Sequence, residues 1–138
     1  MLRVLVNGCF DCLHIGHVRH LRAARELGDT LIVSLTTDEY VLKGPGRPVF
    51  KWPERAEMLR ALKWVDRVIA CDSAAEAIRL IKPNFFVKGK EYEGRLPEQA
   101  LVESFGGKVV FTQTPTYSST AILEGRLFRD RVDRESIG

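Results

Sequence analysis

The residues best equipped for chemistry crowd together near the start of the chain. Cys9, Cys12, His14 and His17 fall within nine residues, with Asp11 and the glycines Gly8 and Gly16 among them. Three chemistries compete for this string. Four potential zinc ligands are present, but structural zinc sites usually place two ligand pairs on separate elements a dozen or more residues apart. A second reading packs the two histidines inside a turn. The third is phosphate handling. A helix beginning near Gly16 or His17 would offer free N–H groups and a positive dipole end to an anion. Spaced three apart, His14 and His17 can lie on one side of a helical turn. Gly16 and Gly8 let a ligand approach the backbone. Imidazole donors aimed at phosphate oxygens would stabilise charge developing at phosphorus, typically by about 3 kcal/mol each. Ligand spacing weakens zinc, and phosphate handling is the better account.

Those residues need a frame. Leu2 to Val6 is short and apolar and ends at Asn7-Gly8, as a buried strand entering a loop should. Val18, Leu21 and Ala24 then recur at helical spacing, with Gly28 where a helix C-cap belongs. Further strands are expected at Leu31 to Leu35, Val65 to Ala70, Phe85 to Val87 and Val109 to Phe111. Between them, Pro53 suits a helix start and Ser73 to Glu76 has the form of a capping box, with Pro83 stopping that helix after Ile81. Pro97 should open another helix, and Ser118-Ser119-Thr120 should cap a last one. Apolar strands alternating with helices predict an α/β fold: a Rossmann-like open sheet of about five mostly parallel strands, helices on both faces. Ligands bind such sheets beyond the carboxyl ends of the strands. The His14–His17 segment lies in the first of those positions.

Composition excludes other classes. The chain has 138 residues, 45% apolar, with a net charge of +3. That suits one domain and an anionic small molecule better than nucleic acid. No apolar run approaches membrane-spanning length, and Met1 stands directly before the first strand, so neither a signal peptide nor a membrane is expected. Three cysteines make no disulfide framework. The expectation is a cytoplasmic protein, with a domain over 1–128 and a polar tail or linker over 129–138. Trp52 and Trp64 read as packing residues, Cys71 as a small buried residue, and His20 as surface.

His14-Ile15-Gly16-His17 matches the H-x-G-H signature of the nucleotidyltransferase superfamily. The wider Gly8-Cys9-Phe10-Asp11 to His17 segment resembles the small cytidylyltransferases, as do Leu27-Gly28-Asp29, Thr37-Asp38-Glu39 and Glu54-Arg55. Lys63-Trp64-Val65-Asp66 is similar to ethanolamine-phosphate cytidylyltransferases. Lys43-Gly44-Pro45-Gly46-Arg47-Pro48-Val49 resembles heptose-phosphate adenylyltransferases. The likeness runs through nearly the whole chain.

The resemblance implies roles residue by residue. Gly8, Cys9, Phe10 and Asp11 would lie along the nucleotide, and His14, Gly16 and His17 at its triphosphate. Lys43 and Arg47, in a loop, would close on the phosphates. Asp11, Asp38, Arg55 and Lys63 would hold the acceptor; the glycerol-phosphate enzymes have Arg where Lys63 stands. Lys88, Gly89, Glu91 and Tyr92 resemble a base-cradling segment, with Glu91 replacing the usual Asp, although a solvated turn also fits. Tyr117, Ser118, Ser119 and Thr120 match a phosphate-binding Ser-Thr motif. Thr114 stands where an Arg is usual, and Arg126 is a candidate substitute. The implied reaction transfers CMP from CTP to ethanolamine phosphate, glycerol 3-phosphate or a hydroxyethylphosphonate, with direct in-line attack and release of pyrophosphate. Mg2+ would be carried mainly by the nucleotide phosphates, with no metal ligands from the protein. Two alternatives stand: an adenylyltransferase using ATP and a sugar phosphate such as heptose 1-phosphate, and a nucleotide-binding module without turnover. A homodimer, and a place as the N-terminal domain of a bifunctional enzyme, complete the expectation.

Overall fold

The structure is a computed structural model and describes residues 1–113. The expected last helix at Ser118-Ser119-Thr120, with Thr114, Tyr117, Arg126 and the 129–138 tail, lies outside the described residues.

Five parallel strands form one sheet in the order β3-β2-β1-β4-β5. They are β1 (Arg3–Gly8), β2 (Thr30–Thr36), β3 (Arg67–Cys71), β4 (Phe85–Gly89) and β5 (Lys108–Thr112). Four helices connect them: α1 (Ile15–Arg25), α2 (Trp52–Arg60), α3 (Ala74–Ile81) and α4 (Gln99–Ser104). Alternate residues of each central strand point to opposite faces. Val4, Val6, Leu31, Val33 and Leu35 join Leu21 and Ala24 of α1 and Ala56 and Leu59 of α2 in one buried cluster. Leu5, Ile32 and Phe86 join Ala77 and Ile78 of α3 and Val102 of α4 in the other. The sheet is therefore covered on both faces, as its uninterrupted apolar strands require.

Strand order reverses at β1, which has β2 on one side and β4 on the other. That creates the crevice between β1 and β4 where ligands of open α/β sheets bind. Both strands run past their expected ends, to Gly8 and Gly89, because ladder pairing continues through Gly8↔Leu35 and Gly89↔Thr112.

Three local expectations are corrected. Strand β3 starts at Arg67 rather than Val65, because Asp66 turns back onto β2: its N–H donates to Leu31 O, and its carboxylate accepts from Leu31 N at 2.8 Å. Helix α4 starts two residues after Pro97. Gly28 is not a left-handed cap, since α1 closes on Glu26 in right-handed geometry. Gly28 is instead a close-approach site, where an added Cβ would sit 2.7 Å from Leu2 O and 2.8 Å from Val4 Cγ2. Gly28→Ala should therefore cost about 1–3 kcal/mol of stability through overpacking. A urea denaturation midpoint equal to wild type would contradict this packing role.

Candidate active site

The loop after β1 is held in a demanding conformation. Phe10 and Cys12 both have positive φ, 45° and 66°, a region that costs a non-glycine residue about 1–3 kcal/mol. Gly8 leaves room for the Phe10 ring, which would meet a Gly8 Cβ at 2.9 Å. Two buried groups hold the loop. Asp11 is 2% exposed and accepts hydrogen bonds from Val49 N at 2.7 Å, Phe50 N at 3.1 Å and Arg47 Nε at 2.7 Å. Burial alone would raise its carboxyl pKa, but these bonds outweigh it and hold the pKa below the ordinary value. Arg55 is fully buried. Its guanidinium donates to Cys9 O, Thr36 O and Phe50 O and pairs with Asp38 Oδ1 at 2.6 Å.

The loop delivers the chain into α1 through a histidine cap. His14 is the N-cap and its Nδ1 accepts from Gly16 N at 3.1 Å. His17 Nδ1 in turn accepts from His14 N at 3.2 Å. A backbone N–H expected to face an anion is thus taken by an imidazole. The exchange fixes the tautomer: with Nδ1 accepting, each neutral ring carries its proton on Nε2. The rings stack with centroids 3.7 Å apart, and Phe10 meets His17 edge-on at 5.0 Å. Both Nδ1 lone pairs being spent on backbone N–H groups also weakens the zinc reading. Burial, then the neighbouring His14, His20 and Lys43, push the His17 pKa down to about 3. Burial and Lys43 lower His14 as well. At neutral pH the pair presents uncharged N–H donors, at a helix end with no acidic residue in its first turn.

A cleft of about 460 Å3 opens beyond the β1, β4 and β5 ends. It brings together most of the nucleotide-site residues expected from the sequence: Gly8, Cys9, Phe10, Asp11, His14, Gly16, His17, Lys43, Lys88, Gly89, Glu91 and Tyr92. Lys88 is held between the Phe86 and Tyr92 rings, 4.8 Å from the latter, and donates to Asn7 O. Burial lowers its pKa, so Lys88 itself is not part of a solvated turn, whereas Lys90, Glu91 and Glu93 are exposed. The Glu91 carboxylate folds over Gly89, in space a Cβ would fill.

The expected acceptor set is not assembled. Arg55 is spent on Asp38 and on backbone carbonyls, and the Asp11 carboxylate is spent on the Arg47–Phe50 segment. Lys63 is exposed, lies over the Trp64 ring at 5.4 Å and does not line the cleft. Arg47 is anchored to Asp11, its side chain 7% exposed, while its loop companion Lys43 is open to solvent. Five lining residues had been given no role in the site: Val6, Asn7, Thr36, Thr112 and His20. His20 is half-buried rather than on the surface, its Nδ1 2.8 Å from Thr112 Oγ1. The signal for it was the three-residue step His14, His17, His20, which continues one helix stripe.

A family described as cytidylyltransferase-like matches residues 5–125. The chain belongs to this family. It is accordingly a nucleotidyltransferase domain, as the H-x-G-H resemblance implied. Curated relatives are named bifunctional protein HldE. The one from Gluconobacter oxydans is 46% identical over 125 residues, covering 87% of this chain and 26% of the relative. The one from Syntrophotalea carbinolica is 42% identical over 135 residues, covering 91% and 27%. The chain thus spans about a quarter of the length of these relatives. Among solved structures, the lipopolysaccharide core biosynthesis protein from Thermoplasma volcanium superposes with TM-score 0.68 at 28% identity, covering 86% of this chain and 99% of that one. Such a likeness accords with the doubly covered parallel sheet described above.

Two outcomes follow from the buried groups. Arg55→Met leaves Asp38 without its partner and three carbonyls without a donor. It should destabilise the fold by about 3–5 kcal/mol, and a urea midpoint within about 1 kcal/mol of wild type would refute the anchoring role. The histidines set a pH dependence. A group whose folded pKa lies below its unfolded value of 6.5 contributes stability above pH 6.5 and loses it as pH falls toward the folded value. His17, with a folded value of about 3, should make stability fall between pH 6.5 and 4 by up to about 1.4 kcal/mol per pH unit. In His17→Asn the slope should be shallower; an identical slope would show that His17 is not buried neutral.

Proposed function

We propose that this domain transfers AMP from ATP to a small sugar phosphate of the heptose 1-phosphate class and releases pyrophosphate. The observation that carries the transfer chemistry is the His14–His17 pair, with both Nδ1 atoms occupied by backbone donors and both protons consequently on Nε2. Donors so fixed need no reorganisation as charge builds on the α-phosphate. A phosphate oxygen of the acceptor attacks the α-phosphorus in line. The bond to the β-phosphate breaks and its electron pair leaves with pyrophosphate. An acceptor phosphate is ionised at neutral pH, so no general base is needed, and positioning with charge stabilisation carries the rate. Lys43, exposed at the cleft mouth, would meet the outer phosphates; Lys88 supplies the inner positive charge. Mg2+ would arrive on the triphosphate oxygens, its natural ligands. Among the described residues no group of three or more His, Cys, Asp or Glu is arranged to hold it.

Support for ATP over CTP comes from the Lys43 to Val49 loop, which resembles heptose-phosphate adenylyltransferases, together with the relatives named HldE. The likeness to the lipopolysaccharide core biosynthesis protein supports the same acceptor class. The second reading, CMP transfer to ethanolamine phosphate, glycerol 3-phosphate or hydroxyethylphosphonate, rests on Lys63-Trp64-Val65-Asp66 and on the family's own description. The homodimer and the bifunctional parent belong to the same proposal; the relatives' bifunctional name supports such a parent but not the N-terminal place in it. A cytoplasmic setting is proposed with them; no helix among the described residues is long and apolar enough to cross a membrane.

Pyrophosphate release, measured with ATP and CTP against heptose 1-phosphate, glycerol 3-phosphate, ethanolamine phosphate and hydroxyethylphosphonate, decides among these. Release is expected with ATP and heptose 1-phosphate. Release with CTP alone would establish the second reading, and nucleotide binding without release from any pair would leave a binding module. His17→Ala should lower kcat by about 100-fold or more, with at most about 2 kcal/mol lost from the helix cap.

A further inference from the structure

The transfer chemistry uses His14 and His17 but leaves the third histidine of the stripe unexplained. His20 lies three residues beyond His17 on α1, about 4.5 Å further along the helix axis, and lines the same cleft. Its Nδ1 is 2.8 Å from Thr112 Oγ1. That hydroxyl has a single hydrogen, which it donates to Lys88 O at 3.4 Å. Both contacts are satisfied together only when the oxygen accepts from His20, and on that ground we assign the His20 proton to Nδ1. This leaves Nε2 as a lone-pair acceptor, the opposite tautomer to His14 and His17. One helix face thus presents two donors and then one acceptor. Ionised phosphate oxygens have no proton to give such an acceptor, whereas the nucleoside half of a nucleotide has several.

We propose that His20 Nε2 accepts a hydrogen bond from an N–H or O–H donor on the nucleoside half of the triphosphate and so helps select the nucleotide. The inference rests on the nucleotidyltransferase reading above. Burial and the nearby Lys88 push the His20 pKa down to about 4, so the acceptor persists at neutral pH. Two sources supply the donor. Adenine and cytosine carry an exocyclic amine where guanine and uracil carry a keto oxygen, and the ribose carries hydroxyls common to all four. A keto oxygen would set acceptor against acceptor, which gives discrimination by an unsatisfied polar pair.

Calorimetric titration of the chain with ATP, CTP, GTP, UTP, their 2′-deoxy and 3′-deoxy forms and inorganic tripolyphosphate tests this. In His20→Leu the preferred triphosphate should bind about tenfold more weakly, with tripolyphosphate affinity unchanged. A loss confined to ATP and CTP identifies the base amine. A loss shared by all four ribonucleotides and absent from one deoxy series identifies that hydroxyl. Thr112→Val, which removes the oxygen that fixes the tautomer without touching His20, should reproduce part of the loss. Ring 15N shifts should show His20 protonated on Nδ1 in the wild type. Unchanged nucleotide affinity in both variants, an equal loss for tripolyphosphate, or an Nε2-protonated His20 would overturn the proposal. If the wild type releases pyrophosphate while these variants bind normally, this inference alone fails. If the wild type binds no nucleotide, the reading beneath it fails too.

Discussion

Arg55 carries a permanent charge into the interior, and the site is built on how that charge is satisfied. An isolated buried cation costs several kcal/mol, recovered only when its donors are matched and a counter-charge lies close. Here the guanidinium collects Cys9 O from the loop after β1, Thr36 O from the end of β2, Phe50 O from the segment before α2, and the carboxylate of Asp38. Three separate stretches of chain are thereby tied to one planar fork, whose geometry a lysine could not reproduce. Asp11 is the complementary device. A buried anion gathers Arg47, Val49 and Phe50 onto the same loop from the other side. Together they hold Phe10 and Cys12 in backbone conformations that neither would adopt unaided.

The consequence reaches the chemistry through the start of α1. With the loop fixed, His14 becomes the N-cap, and the two motif histidines satisfy backbone N–H groups through Nδ1. Capping a helix and orienting a donor are here the same act. Because burial keeps the rings neutral, the site would meet a polyanion with directed N–H groups, the positive charge coming from Lys43 and Lys88. In the proposed transfer, charge developing on phosphorus would find donors already aimed, which is where electrostatic preorganisation gains most.

Much of this was legible in the order of residues. Alternation of apolar runs with capped helices gave the parallel sheet, and the place of His14 and His17 after the first run put them at its ligand-binding edge. What was not legible shares a cause. Arg55, Asp38 and Asp11 read as ligands because charged residues beside a motif look like binding groups, but a sequence does not state which charges turn inward to pair with others. His20 read as surface because the helix stripe was followed for its apolar members alone; Thr112, its partner, lies 92 residues away.

Periodicity, breakers and caps are short-range, so the sequence by itself determined the elements, the doubly covered sheet and the place of the H-x-G-H motif at its edge. Which polar groups face the cleft was decided only by the tertiary structure. That choice depends on pairings between distant loops, on the desolvation each charge must offset, and on which ring nitrogen a neighbour engages. Local order along the chain encodes none of these.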